Sequence, residues 1–475
     1  MSIEIIGLIT ILVGLIGFFR DPSTLVYALF CATLLGAAAA FVLESLGSTN
    51  ISPAHLLLGF LVVKLVGNAQ ISQATLKGVA LGKPGFWLLL TVSYAALSAY
   101  FMPRLFAGEA IVFAVRSTTP YSVPLAPAMS NFTQSVYLIG DFTCFIFLFG
   151  YASASSSGLR TLGKAALVCA VLNLVFAVVD LATYFTGTTE LLSFIRNANY
   201  ALLSDTELAG FKRIVGSFTE ASSFGATTLG YFAYTSRLWL LGIKPRLTLT
   251  LSLLSLIALL FSTSTTSYVG LFFYAVFVYV QSFLHTLRRP ASTRVIFLLV
   301  GLPLILLIVV LSIALNEDYS AYLKGLLDEL VLNKMSTDSG VERSSWNRQA
   351  IQVFFDTHGF GAGNGSLRAS SFPIAVLASL GILGSLFYAL FLASVLANRP
   401  LQGPMSTPEN AFRQAAKSVC IAWLIAASAS GALTDLGLPF FVFAALACGR
   451  PPSPPQELPS LVQVEGYQRA ARTSE

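Results

Sequence analysis

Long apolar runs alternate with short polar segments along most of the chain. A membrane-spanning helix needs about 20 apolar residues, and this criterion predicts twelve or thirteen spans. They are 3–19, 24–43, 53–69, 86–105, 131–150, 159–186, 221–240, 247–263, 266–285, 294–314, 373–397, 413–430 and 433–449. Two are irregular: 53–69 contains Lys64 and either crosses or re-enters, and 433–449 contains Asp435 near its start. The pattern predicts an all-α, polytopic membrane protein.

The composition agrees with this fold class. Of 475 residues, 55% are hydrophobic and 11% are charged, whereas about 25% of the residues of a soluble protein are charged. The net charge of +6 comes mostly from short basic clusters between apolar runs, which is typical of cytoplasmic loops and not of nucleic-acid binding. The five cysteines lie within apolar runs, so we expect small core residues and neither disulfides nor metal ligands.

The basic clusters also predict the orientation. Most of them fall on one side of the predicted spans, which we place in the cytoplasm. The long loops at 187–220 and 315–372 then lie outside, and with thirteen spans so does the N-terminus, whose first apolar run is expected to be a retained span. Residues 1–449 form the predicted membrane domain. The proline-rich segment 450–475 is predicted to be a disordered cytoplasmic tail.

The polar loop 315–372 is predicted to contain two helices. Apolar residues at helical spacing between 319 and 331 indicate an amphipathic helix at the membrane surface. A second helix is predicted from about Ser339, which forms a capping-box pattern with Glu342, to about His358. Its apolar face collects Trp346, Ala350, Val353 and Phe354.

Two groups of residues in the external loops could carry chemistry. The first is the segment from Arg213 to Glu220, which places a guanidinium and a carboxylate just before the span at 221. Arginine suits phosphate because its planar fork donates two parallel hydrogen bonds and keeps its charge. The alternative is an arginine that reaches lipid head groups and a glutamate that stabilises a helix N-terminus.

The second group lies in the later loop. It contains Arg343, expected near the membrane domain, and Arg348, expected to face solvent or a ligand rim. His358 could accept a proton from a hydroxyl group, or it could simply cap its helix. Glycines then follow at alternate positions: Gly361, Gly363 and Gly365. They either let the backbone approach a ligand closely or make a tight loop.

Charged residues inside the predicted spans include Lys64, Asp141 and Asp180. Such groups usually face the interior of a helix bundle and pair with one another or line a cavity. We expect Asp141 and Lys64 to form a structural pair. A transporter would instead use these charges as a path for protons or substrate.

The motifs in the two loops resemble those of the O-antigen polymerase and O-antigen ligase superfamily. The similar pieces, over about residues 210–390, are R-x-x-G-x-F-x-E from Arg213, R-x-x-W-x-x-A from Arg343, G-x-G-x-G from Gly361 and G-x-x-G from Gly381. The resemblance implies a helical bundle of the GT-C type in the bacterial inner membrane. It also implies a metal-independent glycosyltransferase that needs no cofactor and uses a polyprenyl-diphosphate-linked saccharide at the external face.

The resemblance also implies roles for individual residues. Arg213 and Arg343 would hold the diphosphate and stabilise the charge that grows on it. Further substrate contacts would come from Arg348, Trp346, Gly361 and Gly363. Partners would be the lipid-linked oligosaccharide and membrane lipids, with room for a protein that regulates chain length.

The sequence departs from the family at the expected general base. Many relatives carry His-Asn before the span that follows the large loop, where this chain has Ser370 and Ser371, and Ala221 replaces a frequent proline. His358 and Glu220 are therefore the candidates for the base, with His358 slightly preferred. A polysaccharide polymerase is the leading hypothesis. A ligase that transfers glycan to a lipid or protein acceptor and a lipid-linked-sugar flippase are the alternatives.

Overall fold

The computed structural model describes residues 2–44, 49–115, 121–199, 202–203, 207–208, 211–288, 290–316, 320, 324–325, 338–402, 404–405 and 407–452. The chain is mostly helical in these residues, as predicted. The predicted surface helix at 319–331 lies largely outside them, as does nearly all of the predicted tail.

The first half of the chain contains helices α1 (Ile5–Phe19), α2 (Pro22–Ala32), α3 (Pro53–Val66), α4 (Ala69–Gly78), α5 (Pro84–Leu105), α6 (Met129–Ala154), α7 (Ser156–Phe185) and α8 (Ala221–Leu240). The second half contains α9 (Pro245–Phe261), α10 (Thr265–Thr286), α11 (Thr293–Ala314), α12 (Asp338–Asp356), α13 (Phe372–Leu396), α14 (Pro408–Ser430) and α15 (Leu438–Cys448). A 3₁₀ helix covers Thr189–Ile195, and residues Phe297–Gly301 of α11 are π-helical.

Some of the loops contain short strands that pair in the antiparallel direction. Strands β1 (Ser2–Ile3), β2 (Phe41–Leu43) and β3 (Thr49–Ile51) form one sheet in that order. Two hairpins are formed by β4 (Ile111–Val112) with β5 (Val123–Pro124) and by β6 (Glu207–Leu208) with β7 (Phe211–Lys212).

Six of these helices are long and apolar enough to cross a membrane: α5, α6, α7, α10, α11 and α13. The count rises to seven if the bent pair α3 and α4 is one span. The structure therefore indicates a multi-pass helical membrane protein with fewer such helices than the twelve or thirteen predicted spans. Helices α8 and α14 are also long, but they are less apolar, because much of their surface packs against other helices and not against lipid.

The predicted span at 24–43 is wrong. Helix α2 ends at Ala32, and the four residues Ala37–Ala40 are buried in a non-helical segment before β2. The backbone of this segment bonds to the loop that precedes α8, because Ala37 N–H donates to Ser217 O at 3.1 Å. The apolar residues of this run are therefore buried within the protein and do not form a membrane-spanning helix.

The irregular span at 53–69 corresponds to α3, which meets α4 at a bend of 111°. Gly67 ends α3, and the Asn68 side chain accepts hydrogen bonds from the first N–H groups of α4. The predicted pair of Lys64 with Asp141 is also wrong. The Lys64 ammonium instead donates to Phe18 O at 2.6 Å, where it satisfies the C-terminal end of α1.

The predicted span at 433–449 contains a shorter helix than expected. Helix α15 has 11 residues, and all of them except Pro439 are buried. A helix that is apolar on every side belongs in the centre of a bundle. The seven residues between α14 and α15 form a loop that carries Asp435 into the protein.

The alternating glycines fit into a break in helix α13. Gly381 has φ of 62° and interrupts that helix, which leaves backbone groups without helical partners. The glycine run supplies them: Ala362 and Gly363 N–H donate to the carbonyls of Ala378 and Ser379, each at 2.9 Å. The two glycine motifs therefore form one structural unit, in which the glycine run supplies hydrogen bonds to the broken helix.

Four of the cationic residues that the sequence groups on one side lie around one cavity. Lys77, Lys83, Arg399 and Arg450 line one cavity of about 910 Å³. These four residues come from loops that the topology prediction placed on the same face.

Replacing Gly381 with alanine should destabilise the protein. A Cβ at this position would clash with the carbonyl oxygens of Phe360 and Gly359, and φ lies in the left-handed region. We expect a loss of about 1–3 kcal/mol, measured as a lower thermal midpoint of the detergent-purified protein. The control is Gly59→Ala in α3, where a Cβ meets open space, so the midpoint should stay or rise slightly. Equal midpoints for both variants would contradict the packing role of Gly381.

Candidate active site

The segment that carries Arg213 is anchored by a buried carboxylate. Asp180, near the end of α7, accepts hydrogen bonds from Val215 N–H at 2.8 Å and Gly216 N–H at 3.0 Å. Arg196 donates to the other oxygen of Asp180 at 2.5 Å and also to Gly216 O. Lys212 Nζ lies 3.9 Å from that oxygen. This set of partners makes Asp180 an anchor for the loop and does not favour the alternative of a transport path.

The structure brings Arg213 and Arg343 within range of each other's charge. Burial lowers the pKa of the Arg213 guanidinium below its ordinary value, the Glu220 carboxylate opposes this shift, and the positive charge of Arg343 adds to it. The Nε of Arg213 is buried and has no hydrogen-bond partner among the described residues. Positive charge from two arginines and an unsatisfied donor on one of them favour the binding of an anion beside Arg213.

Arg343 is presented by α12, whose position agrees closely with the predicted helix from Ser339 to His358. Two residues of its predicted apolar face, Ala350 and Val353, are fully buried. Arg343 is half-buried and Arg348 is exposed, as the helical periodicity predicts.

A third arginine, Arg368, lies against the same helix. Its guanidinium carbon is 3.8 Å from the centroid of the Trp346 ring, and its Nη2 atom is 3.8 Å from the Glu342 carboxylate. Burial lowers the pKa of Arg368, and Glu342 opposes that shift. Stacking on an aromatic face holds a guanidinium in one orientation. Trp346 therefore supports an arginine in addition to any contact with substrate.

A cavity of about 560 Å³ adjoins the arginines through Glu220. Its walls come from the end of α2, the start of α3, the start of α8, the end of α14 and the loop before α15. Three ionisable side chains line it: His55, Glu220 and Asp435. The volume lies within the range of about 300–1,000 Å³ that is common for small-molecule sites.

Asp435 connects this cavity to a second, fully buried carboxyl group. Asp141 of α6 is 1% exposed, and its side chain lies within hydrogen-bonding reach of Asp435. Asp435 also interacts electrostatically with His55. The His55 Nδ1 atom lies 2.8 Å from the hydroxyl oxygen of Ser52, and the ring packs against Tyr137 at a centroid distance of 5.4 Å.

The remaining predicted site residues lie elsewhere. His358 is exposed at the end of α12 with φ of 51°, its ring lies against Phe106, and it does not line the cavity. A Cβ at Gly361 or Gly363 would meet protein backbone. The geometry therefore favours the helix-cap alternative for His358 and the tight-loop alternative for the glycines.

Sequence reasoning did not select His55, Asp435 or Arg368 for the site. His55 stands at the start of an apolar run and Asp435 near the start of the predicted span 433–449, and neither belongs to a recognisable motif. Arg368 follows Trp346 by only 22 residues, but sequence spacing does not reveal that their side chains stack.

The chain matches no protein-family model, and no curated protein or solved structure matches it. Function is therefore inferred from the chemistry of the site.

Removing the Asp180 carboxylate should loosen the Arg213 loop. In Asp180→Ala the Arg196 charge would stay buried without its partner, and a broken buried pair typically costs about 3–5 kcal/mol. The measurements are unfolding of the purified protein by a denaturing detergent and hydrogen exchange of residues 213–220, which should become faster.

The matched control for that variant is Arg160→Ala. It breaks the Arg160–Glu409 pair, in which Arg160 is 51% exposed, so we expect a loss of about 0–1 kcal/mol. Unchanged exchange of residues 213–220 in Asp180→Ala would contradict the anchoring role.

Proposed function

We propose that this protein is a polysaccharide polymerase that joins polyprenyl-diphosphate-linked repeat units at the external face of the bacterial inner membrane. The observation that carries the proposal is the approach of Arg213 and Arg343, which come from two separate loops, beside a cavity lined with hydrogen-bonding groups. The GT-C-like architecture is part of the same proposal. It is supported by the helical bundle and by the resemblance of the loop motifs.

The arginines would act on the leaving group. When the bond between the anomeric carbon and the diphosphate oxygen breaks, the electron pair of that bond stays with the diphosphate. Fixed guanidinium groups stabilise the growing negative charge because they need little reorganisation during the reaction. Arg213 has an unsatisfied Nε for this purpose, and Arg343 adds a second positive charge.

The acceptor would approach from the cavity side. Its hydroxyl oxygen attacks the anomeric carbon, and its proton passes to a group that lines the cavity. Of the two bases expected from the sequence, Glu220 lines the cavity and His358 does not. The Glu220 carboxylate already accepts a hydrogen bond from the Ser222 hydroxyl and lies in the field of Arg213.

The polymerase is preferred over the ligase and the flippase. At Ser370, where many relatives have the His-Asn motif, the backbone N–H donates to Asn347 Oδ1 at 2.7 Å and no imidazole is present. A flippase requires a charged path through the membrane, whereas Lys64 and Asp180 each bind backbone groups at helix or loop ends. The products of a chain-lengthening assay distinguish the three activities.

Replacing Arg213 or Arg343 with alanine should abolish chain lengthening. Loss of one fixed donor to developing negative charge typically lowers the rate about 100-fold or more. Purified full-length protein would be supplied with lipid-linked repeat units, and the products would be sized on a gel. Polymerase activity gives longer glycans on the lipid, ligase activity gives glycan on an added acceptor, and a flippase gives neither.

The controls separate charge from geometry. Arg213→Lys keeps the charge but loses the planar fork, so its rate should fall between those of wild type and Arg213→Ala. Arg246→Ala, on the predicted cytoplasmic side, should extend chains at the wild-type rate. Normal chain lengths in Arg343→Ala would contradict the proposed role of that residue.

A further inference from the structure

The cavity and the arginine pair have opposite electrostatic character. Glu220 and Asp435 line the cavity, and its described lining contains no lysine or arginine. Such a cavity repels a diphosphate, which the arginines attract. The two regions meet at Glu220, so they could hold different parts of one reaction.

The lining of the cavity suits a polyhydroxylated ligand. Serine and threonine hydroxyls and two carboxylates offer both donors and acceptors, and Trp423 adds an aromatic surface. The indole N–H of Trp423 donates to Leu436 O at 3.0 Å, which holds the ring in place. Carboxylates that accept from hydroxyls beside an indole ring are the groups expected to recognise a sugar.

The Asp435 carboxyl is held in position from three directions. Gly437 N–H donates to its Oδ1 at 2.5 Å, Asp141 faces it from α6, and His55 lies on the cavity side. Asp141 Oδ2 has no donor among the described residues. Two carboxyl groups that face each other away from water are most stable when they share one proton, so the pair is suited to hold and exchange a proton.

We propose that this cavity is the acceptor subsite, in which Asp435 takes the proton of the attacking sugar hydroxyl while His55 and Asp141 hold the Asp435 carboxyl in position. The acceptor O–H bond breaks and its proton goes to Asp435. The oxygen forms the new bond to the anomeric carbon, and the diphosphate leaves toward Arg213 and Arg343. The inference rests on the proposed function and names the residues that serve its second substrate.

Asp435 fits this role better than Glu220 does. The Glu220 carboxylate is already bonded to a serine hydroxyl and lies in the field of Arg213, and this positive charge favours its ionised form and makes it a weaker base. Asp435 faces a second carboxyl group instead of a cation. Asp141 can therefore exchange a proton with Asp435, whereas Arg213, in whose field Glu220 lies, keeps its charge.

The test uses Asp435→Asn and His55→Ala in the full-length protein. Asparagine keeps the acceptor for Gly437 N–H but cannot take a proton. Three quantities are measured: affinity for the lipid-linked donor, rate of chain lengthening, and binding of the free repeat-unit oligosaccharide by ligand-observed NMR. We expect Asp435→Asn to keep donor affinity within about threefold and to lose about 100-fold or more in rate. His55→Ala should raise the KM for acceptor and weaken oligosaccharide binding.

Matched controls guard against general damage. Asp21→Asn and His285→Ala change exposed residues outside the cavity and should match wild type in all three measurements. Asp435→Glu tests proton transfer directly, because a retained carboxyl should recover part of the rate. Thermal midpoints show whether each variant is folded, and an unfolded His55→Ala would be replaced by His55→Gln.

The outcomes separate this inference from the proposed function. If wild type extends chains and Asp435→Asn does so equally fast, Asp435 is not the base and the inference is wrong. If Asp435→Asn loses donor affinity as Arg213→Ala does, the cavity is not a separate acceptor site. If wild type neither binds nor extends the lipid-linked donor, the proposed function and the base role both fail. Loss of free-oligosaccharide binding in His55→Ala would then still support a sugar site.

Discussion

Arg213 and Arg343 carry like charges, and a protein holds like charges together in a partly buried place only against electrostatic repulsion. The fold opposes this repulsion with the Glu220 carboxylate and with a rigid loop. Rigidity comes from Asp180, which binds two backbone N–H groups of the loop and neutralises Arg196. Glu220 offsets only part of the positive charge of the two arginines, so an anion bound beside them would reduce the remaining repulsion.

Helices α12 and α13 and the glycine run between them position the other residues of the site. The break in α13 at Gly381 and the glycine run that fills it fix the C-terminal end of α12, and Arg343 lies near the N-terminal end of the same helix. Asn364 in the same run accepts a hydrogen bond from Thr434 at 2.6 Å. Thr434 immediately precedes Asp435. Packing of the glycine loop therefore connects the arginine side of the site to the acidic cavity.

Several parts of this structure could be predicted from sequence because they depend on local pattern. Helical periodicity placed α12 and its buried face correctly, since both follow from spacing along one helix. The motifs identified Arg213, Glu220 and Arg343, and in the structure the charges of Glu220 and Arg343 act on Arg213. Apolar length predicts more spans than there are described helices long and apolar enough to cross, because enclosed segments such as α15 are as apolar as those that face lipid.

The parts that sequence could not supply depend on contacts between distant segments. Opposite charge predicts a pair of Asp141 with Lys64. The fold instead places Asp141 near Asp435, a second carboxyl group. Hydrophobic pattern gives no sign of such a pair. The importance of His55 and Arg368 likewise follows only from their interactions with Asp435 and Trp346, which belong to other segments of the chain.

The central claim is that Arg213 and Arg343 hold one diphosphate together. A double-mutant cycle on the affinity for polyprenyl diphosphate tests it most directly, with wild type, Arg213→Ala, Arg343→Ala and the double variant measured at one salt concentration. Two groups that bind a shared ligand should be coupled, so the losses should depart from additivity by about 0.5–3 kcal/mol. Strictly additive losses, or no loss in either single variant, would contradict the account.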